Sequence, residues 1–253
     1  MPLQRNKSKY ILMLTKSQIK LILSLNQKKF RNQHQLFKVE GVKGITEFLN
    51  SQLVLHQLYS TESIFDRECT LVSETELKKI SSLKTPNTAL ALFRIPKPNP
   101  VDESKLIVAL DDIRDPGNLG TIIRLCDWFG VCDMVCSLKT VDCYNPKVVQ
   151  ATMGSLSRVN INYLDLETFL KASKLQKFGT FMGAKNVYTE FLPERGILIL
   201  GNEANGISSS VEKMADQKIS IPRFGDLQAT ESLNVATATA ILLSEFKRRS
   251  TER

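Results

Sequence analysis

Three short stretches of this sequence gather residue types that can hold and activate a small polar substrate. DIRDPGNLGTIIR (112–124) offers Asn118, Arg124 and the glycines Gly117 and Gly120, and LILGNEANGIS (198–208) offers Gly201, Asn202, Glu203 and Gly206. The third, ISIPRFGDLQATESLNVATATAILLSEF (219–246), offers Ile221, Pro222, Gly225, Ser232, Leu233 and Asn234. Amides and hydroxyls orient a substrate hydroxyl, a guanidinium steadies the negative charge that develops when it reacts, a carboxylate positions either of them, and glycines admit a ligand to the backbone. Singly, each residue also has an ordinary structural use. Arg124 could be a surface arginine or a helix-end ion pair, Glu203 a cap for the next helix, and Ser232 and Asn234 caps for the last helix. What sets them apart is that all three stretches follow apolar runs, where the loops of an open parallel sheet converge on a ligand.

Familiar nucleotide and hydrolase patterns do not account for these stretches. PGNLGTIIR and GNEANG both lack GxG, so the dinucleotide fingerprint is missing, and neither GxxxxGK[ST] nor GxSxG occurs. Of the five cysteines, Cys126, Cys132, Cys136 and Cys143 fall within eighteen residues, and Cys69 stands apart. They form no CxxC, and the only histidines, His34 and His56, are distant in sequence. Cys126 and Cys132 sit in apolar surroundings, which predicts reduced, packed thiols rather than a zinc site; no metal is expected.

The elements that must position these residues divide in two. Pro96, Pro98 and Pro100 alternate in RIPKPNPVDESK, which predicts an extended linker over 97–104 between domains at 1–96 and 105–253. In the first domain, Thr15 with Gln18 and Ser73 with Glu76 read as capping boxes, the former for a basic helix through about Lys29. LFKVEG, LVLHQLY, CTLVS and TALALFRI read as strands, giving a small α/β sandwich. In the second, LIVAL, CDMVCS, VNINY, GTFMGA, ILILGN and KISIP are nearly continuous apolar runs. They predict a mostly parallel sheet with helices on both faces, at about 119–129, 146–152, 166–174, 209–215 and 234–248.

Charge is distributed unevenly along this chain. The net +8 resides entirely in residues 1–95, where 15 Lys/Arg face 7 Asp/Glu; the remainder holds 19 of each. Such a concentration attracts a polyanion, and nucleic acid is favoured over a merely solubilising surface. The 42% hydrophobic and 24% charged content is that of a soluble globular protein. No apolar run approaches the roughly 20 residues needed to span a bilayer, and the N-terminus lacks a cleavage site. The expectation is a cytoplasmic protein without a membrane partner.

Taken in order, NLGTIIR, LGNEANGIS and IP…SLNVATATAILLSE resemble the three motifs of the SpoU (TrmH-like) RNA ribose 2′-O-methyltransferases of the SPOUT superfamily. NPKVVQATMGSL (145–156) fits the segment between the first two, and the resemblance spans about 105–248. Residues 1–95 resemble the ribosomal-protein-like substrate-binding domain that often precedes such a catalytic domain. The resemblance implies S-adenosylmethionine as cofactor, a ribose 2′-hydroxyl of structured RNA as acceptor (ribosomal before transfer RNA), a homodimer and a deep C-terminal trefoil knot. It implies cofactor contacts at Gly201, Asn202, Ile221, Pro222 and Leu233, and catalytic roles for Asn118, Arg124, Glu203, Ser232 and Asn234. One departure is Ala236, where the family commonly carries serine. A non-catalytic RNA-binding protein retaining the fold is the competing reading.

Overall fold

The computed structural model describes residues 13–224 and 232–251. Gly225 of the third stretch and the basic residues Arg5, Lys7 and Lys9 lie outside the described residues. The chain forms two compact units, 1–96 with 144–150, and 97–143 with 151–253.

The first unit contains α1 (Lys16–Ser24), α2 (Lys28–His34), β1 (Leu36–Glu40), α3 (Val42–Leu49), β2 (Leu55–Ser60), β3 (Thr70–Leu71), α4 (Glu74–Ile80) and β4 (Ala89–Arg94). Its sheet runs β1-β4-β2-β3, with β4 antiparallel to both neighbours and β3 parallel to β2. Alternation along β4 explains the two layers. Leu90 and Leu92 join Ile22, Leu25, Leu77 and Ile80 of the helices in one core. On the next register position, Phe93 stacks with Phe37 and Phe48, ring centroids 5.5–6.0 Å apart. The Tyr144 ring, from the 144–150 segment of this unit, lies 4.7 Å from that of Phe37.

The capping box at Thr15 and Gln18 is complete. At Ser73 only half of one forms. Its hydroxyl accepts from the Glu76 backbone, but the Glu76 carboxylate turns to the N–H of Leu14 and to Lys79. The single basic helix expected through Lys29 is instead two. Leu25 turns into the core and ends α1, and the buried Arg31 donates from Nη1 to the Leu25 carbonyl at 2.8 Å, folding α2 back.

The second unit is a six-stranded, all-parallel sheet. Its elements are β5 (Leu106–Asp111), α5 (Pro116–Trp128), β6 (Asp133–Ser137), β7 (Asn160–Leu164), α7 (Leu166–Ala172), β8 (Lys177–Asn186), β9 (Gly196–Gly201), α8 (Ser209–Glu212), β10 (Gln217–Ser220) and α9 (Val235–Thr251); α6 (Pro146–Thr152) falls between β6 and β7 in sequence, but residues 146–150 of it group with the first unit. Strand order is β10-β8-β9-β5-β6-β7. The central strands β5 and β6 are buried at every position and β9 at all but its last, as unbroken apolar runs dictate. One face packs Ile107, Ala109, Ile197 and Ile199 against Leu166 and Leu170 of α7 and Val211 of α8. On α9, Phe246 meets Phe178 of β8 edge-on at 5.3 Å; each ring is fully buried, worth about 1.5–3 kcal/mol.

Residues 97–104 are not a free spacer. The Asn99 N–H donates to Asn160 Oδ1 at 2.9 Å, and its carbonyl accepts from the Asn160 and Asn162 amides. The Ser173 hydroxyl donates to Glu103 at 2.7 Å. The segment is stitched along β7 and the end of α7.

Cys126, Cys136 and Cys143 are buried, and burial pushes the thiols of Cys126 and Cys136 well up, so neither supplies a thiolate. Cys132, expected to pack, is exposed. After the turn at Gly130 it is Val131 that enters the core. Among the described residues, no group of three or more His, Cys, Asp or Glu could hold a metal ion, and no helix is long and apolar enough to cross a membrane.

Candidate active site

Strands β5 and β9 end side by side, with Asp111 opposite Gly201. From β5 the chain moves outward through β6 and β7, then re-enters on the far side of β9 with β8. The boundary between β5 and β9 is therefore where winding reverses, the place where open parallel sheets leave a crevice beyond their carboxyl ends.

The chain leaves β5 through a short turn into α5. Asp115 caps this helix, accepting the Asn118 N–H at 2.8 Å, and Pro116 takes the first helical position. Gly117, Asn118 and Gly120 consequently lie inside the first turns of α5, and not in a loop or turn ahead of a helix beginning at 119. The Asp-Pro pair was the signal for the earlier start.

Beyond β9, residues 202–206 close on themselves, with Asn202 and Gly206 exchanging two backbone hydrogen bonds of 2.9 Å. The Asn202 side chain braces this turn. Its Oδ1 accepts from Ala204 and Asn205, and its Nδ2 donates to the Asp112 carbonyl at 2.7 Å. Gly201 permits the closure, since a Cβ there would meet the Gly206 carbonyl carbon and the Ile207 nitrogen at 2.2 Å. No other residue fits without moving backbone.

Glu203 reaches across to the start of α5. Its carboxylate accepts the N–H groups of Arg114 and Asp115 at 3.3 Å and the Asn118 side-chain amide at 3.0 Å. It does not cap the helix that follows it, whose N-cap is Ser208. On the other side of Asn118, Asn234 donates from Nδ2 to Asn118 Oδ1 at 2.9 Å. Asn234 Oδ1 accepts from Ala236 and Thr237 at the start of α9. The direction of this chain is determined at both ends. Backbone donors fix Asn234 Oδ1, a carboxylate can only accept, and so both amides are oriented without ambiguity.

A cavity of about 1310 Å³ opens here. Asn118, Gly201, Asn202, Glu203, Ile221, Pro222, Ser232, Leu233 and Asn234 all line it, over an apolar floor that includes Leu200, Ile219 and Leu242. Arg124 does not line it. It is exposed on α5 and has no hydrogen-bond or ion-pair partner among the described residues. Several contributors were not foreseen from sequence, five of them from two places in the second unit. Arg114 and Asp115 come from the β5–α5 turn, and Thr180, Phe181 and Met182 come from β8. Along β8 the pairing with β10 jumps from Gly179 to Lys185, so residues 180–184 leave the ladder. Nothing in GTFMGAKN marks that excursion except Gly183, whose φ is +69°.

The sequence profile of the SpoU rRNA methylase family matches residues 105–244, more than half of the chain. The chain belongs to that family. A second profile, the MRM3-like substrate-binding domain, matches residues 16–91. Among relatives, the 23S rRNA (guanosine(2553)-2′-O)-methyltransferase RlmP of Bacillus subtilis is 29% identical over 234 residues, covering 88% of this chain and 93% of its own length. A TrmH-family structure from Porphyromonas gingivalis superposes with a TM-score of 0.86 at 38% identity, over 94% of this chain and all of that one. An AdoMet-bound rRNA methyltransferase from Sinorhizobium meliloti gives 0.83 at 28% identity, over 95% and 98%. The SpoU match contains the first two polar stretches and the third through Ser244, and the cavity they line is confined to the second unit.

Proposed function

We propose that this chain is an S-adenosylmethionine-dependent methyltransferase that methylates a ribose 2′-hydroxyl of structured RNA, ribosomal before transfer RNA. The observation carrying this reading is the oriented chain Asn234–Asn118–Glu203 at the lip of a cavity large enough for a nucleoside-containing cofactor. The name of the Bacillus relative supports ribosomal RNA, and the AdoMet in the Sinorhizobium structure supports the cofactor.

The residues present fit that cofactor. Gly201, Asn202, Ile221, Pro222 and Leu233 offer backbone groups around an apolar floor, where a Cβ at position 201 has no room. When bound, its sulfonium makes the methyl carbon electrophilic, so no metal is required. This chain's residues have then to align the acceptor and manage its proton. Asn118 and Ser232 orient the ribose, and Glu203 holds the start of α5 in place through three donors. Arg124, a guanidinium that stays charged, steadies the developing alkoxide. Because it stands outside its own cavity, we assign it to the site of a second copy in a homodimer. The reading extends to a deep C-terminal trefoil knot, which a crystal structure of the catalytic domain tests.

The deciding experiment supplies labelled S-adenosylmethionine with unmodified ribosomal and transfer RNA. Label should enter ribosomal RNA and protect one phosphodiester from alkaline cleavage, which needs a free 2′-hydroxyl. Cofactor binding by calorimetry without transfer to either RNA would leave a non-catalytic RNA-binding protein. Sedimentation that finds a fully active monomer removes the dimer.

A further inference from the structure

Arg114 lines the cavity with a guanidinium that is held along one edge while most of the side chain faces solvent. Its Nε and Nη2 donate to the two carboxylate oxygens of Asp112 at 3.0 and 2.9 Å, yet the side chain is 68% exposed. Nη1 has no partner among the described residues, so one edge of the planar fork is anchored and the other is open. Asp112 raises the affinity of Arg114 for its proton, by hydrogen bonding first and charge second.

The anchor is itself unusual. Asp112 has φ +59°, a left-handed conformation that costs a non-glycine residue energy and persists where surroundings over-determine it. Here every polar group of Asp112 is engaged. Its N–H donates to Ser137 Oγ at 2.9 Å, its carbonyl accepts from Asn202 at 2.7 Å, and its carboxylate takes Arg114. An ion pair with its cation 68% exposed adds little to stability and costs the entropy of ordering a long side chain. Stability alone therefore gives weak reason to hold this fork at the mouth of the cavity.

The reaction supplies a reason. A ribose 2′-hydroxyl within a strand lies beside the phosphate on the neighbouring 3′-oxygen, so any site that accepts the hydroxyl must also meet that anion. Arg124 lies outside the cavity, whereas Arg114 lies within it, one turn from Asn118. Glu203 acts on Arg114 through its charge, but among the described residues only Asp112 hydrogen-bonds the guanidinium. Asp115 and Glu203 accept from the backbone at the start of α5, and Asp112 covers only the inner edge. We infer that Arg114 contacts a substrate phosphate with its free guanidinium edge, and that Asp112 is the positioning residue that aims it. The inference rests on the methyltransferase reading and deepens it.

The test uses the full-length protein, an unmodified 23S ribosomal RNA transcript and S-adenosylmethionine, with RNA affinity measured across a range of KCl concentrations. Arg114→Ala should weaken RNA binding about five- to thirtyfold at ~0.1 M salt and lower the salt slope by about 0.7–0.9, the signature of one lost phosphate contact. Cofactor affinity and melting temperature should stay at wild-type values. Arg114→Lys should keep the slope while losing part of the affinity. Asp112→Gly, which suits the left-handed backbone and removes the side chain while leaving the N–H and carbonyl bonds available, should keep the slope and raise the KM for RNA more than it lowers kcat. Unchanged RNA affinity and slope in Arg114→Ala, on a transcript that the wild type methylates, overturns the inference alone. A wild type that methylates no RNA overturns the reading beneath it as well.

Discussion

At Gly201 the geometry leaves no latitude, because the nearest atoms to an added Cβ are backbone rather than the flexible end of a side chain. Gly201→Ala should therefore displace the 202–206 turn, costing about 1–3 kcal/mol and weakening cofactor binding at least tenfold by calorimetry. An alanine variant with wild-type melting and affinity contradicts this account. Asn118 lies between a fixed donor and a fixed acceptor. Asn118→Asp would set one carboxylate against another at Glu203 and should lower kcat roughly 100- to 1000-fold while the cofactor still binds; single-turnover kinetics would show the difference. Singly, glycine and asparagine have ordinary structural uses; these two were singled out because their stretches follow apolar runs and resemble the SpoU motifs in order. Arg114 was not, since its importance depends on the left-handed turn at Asp112, which a non-glycine residue does not advertise. Nor does spacing reveal that Arg124, six positions after Asn118, faces away from the cavity.

The elements themselves were readable where apolar runs were long. Strands β5, β6 and β9 are buried nearly throughout and appear where their unbroken Val, Ile and Leu predict. Irregular pieces escaped prediction for a physical reason: the break between α1 and α2 is held by a buried arginine, and the β8 excursion by a tertiary register jump. The start of α5 offers a direct test. Asp115→Ala deletes the cap and should cost about 1 kcal/mol, a fall of some 2–4 °C in a chain this size. The other end of α5 gives a pH signature. Burial would raise the Asp127 carboxyl, but hydrogen bonds from Arg158 and Ser155 and the charge of Arg158 outweigh it and hold the group below the usual carboxylate range. A depressed acid contributes stability that is present above its unfolded value, about 3.9, and is lost as pH falls through the lower folded one. Asp127→Asn should flatten that acid limb in denaturation curves, whereas a limb of unchanged slope would assign it to other carboxylates.

For the molecule as a whole, the chain returns to places it has already left. Residues 144–150 belong with the first unit although they lie between β6 and β7 in sequence. At the cavity, Asn118 waits for Glu203, 85 residues later, and for Asn234, 116 residues later. Closing loops of that length costs entropy that only the finished contacts repay, which is slow in kinetic terms. The oriented amide chain thus acts as a clock on biosynthesis. A nascent chain can bury the face of its second sheet that packs on α7 and α8 before the last helix emerges, yet Asn118 Oδ1 has no donor until Asn234 has been made and docked. Chains cut short by a stalled ribosome would keep the partners for the Asn118–Glu203 bond but lack the donor from Asn234.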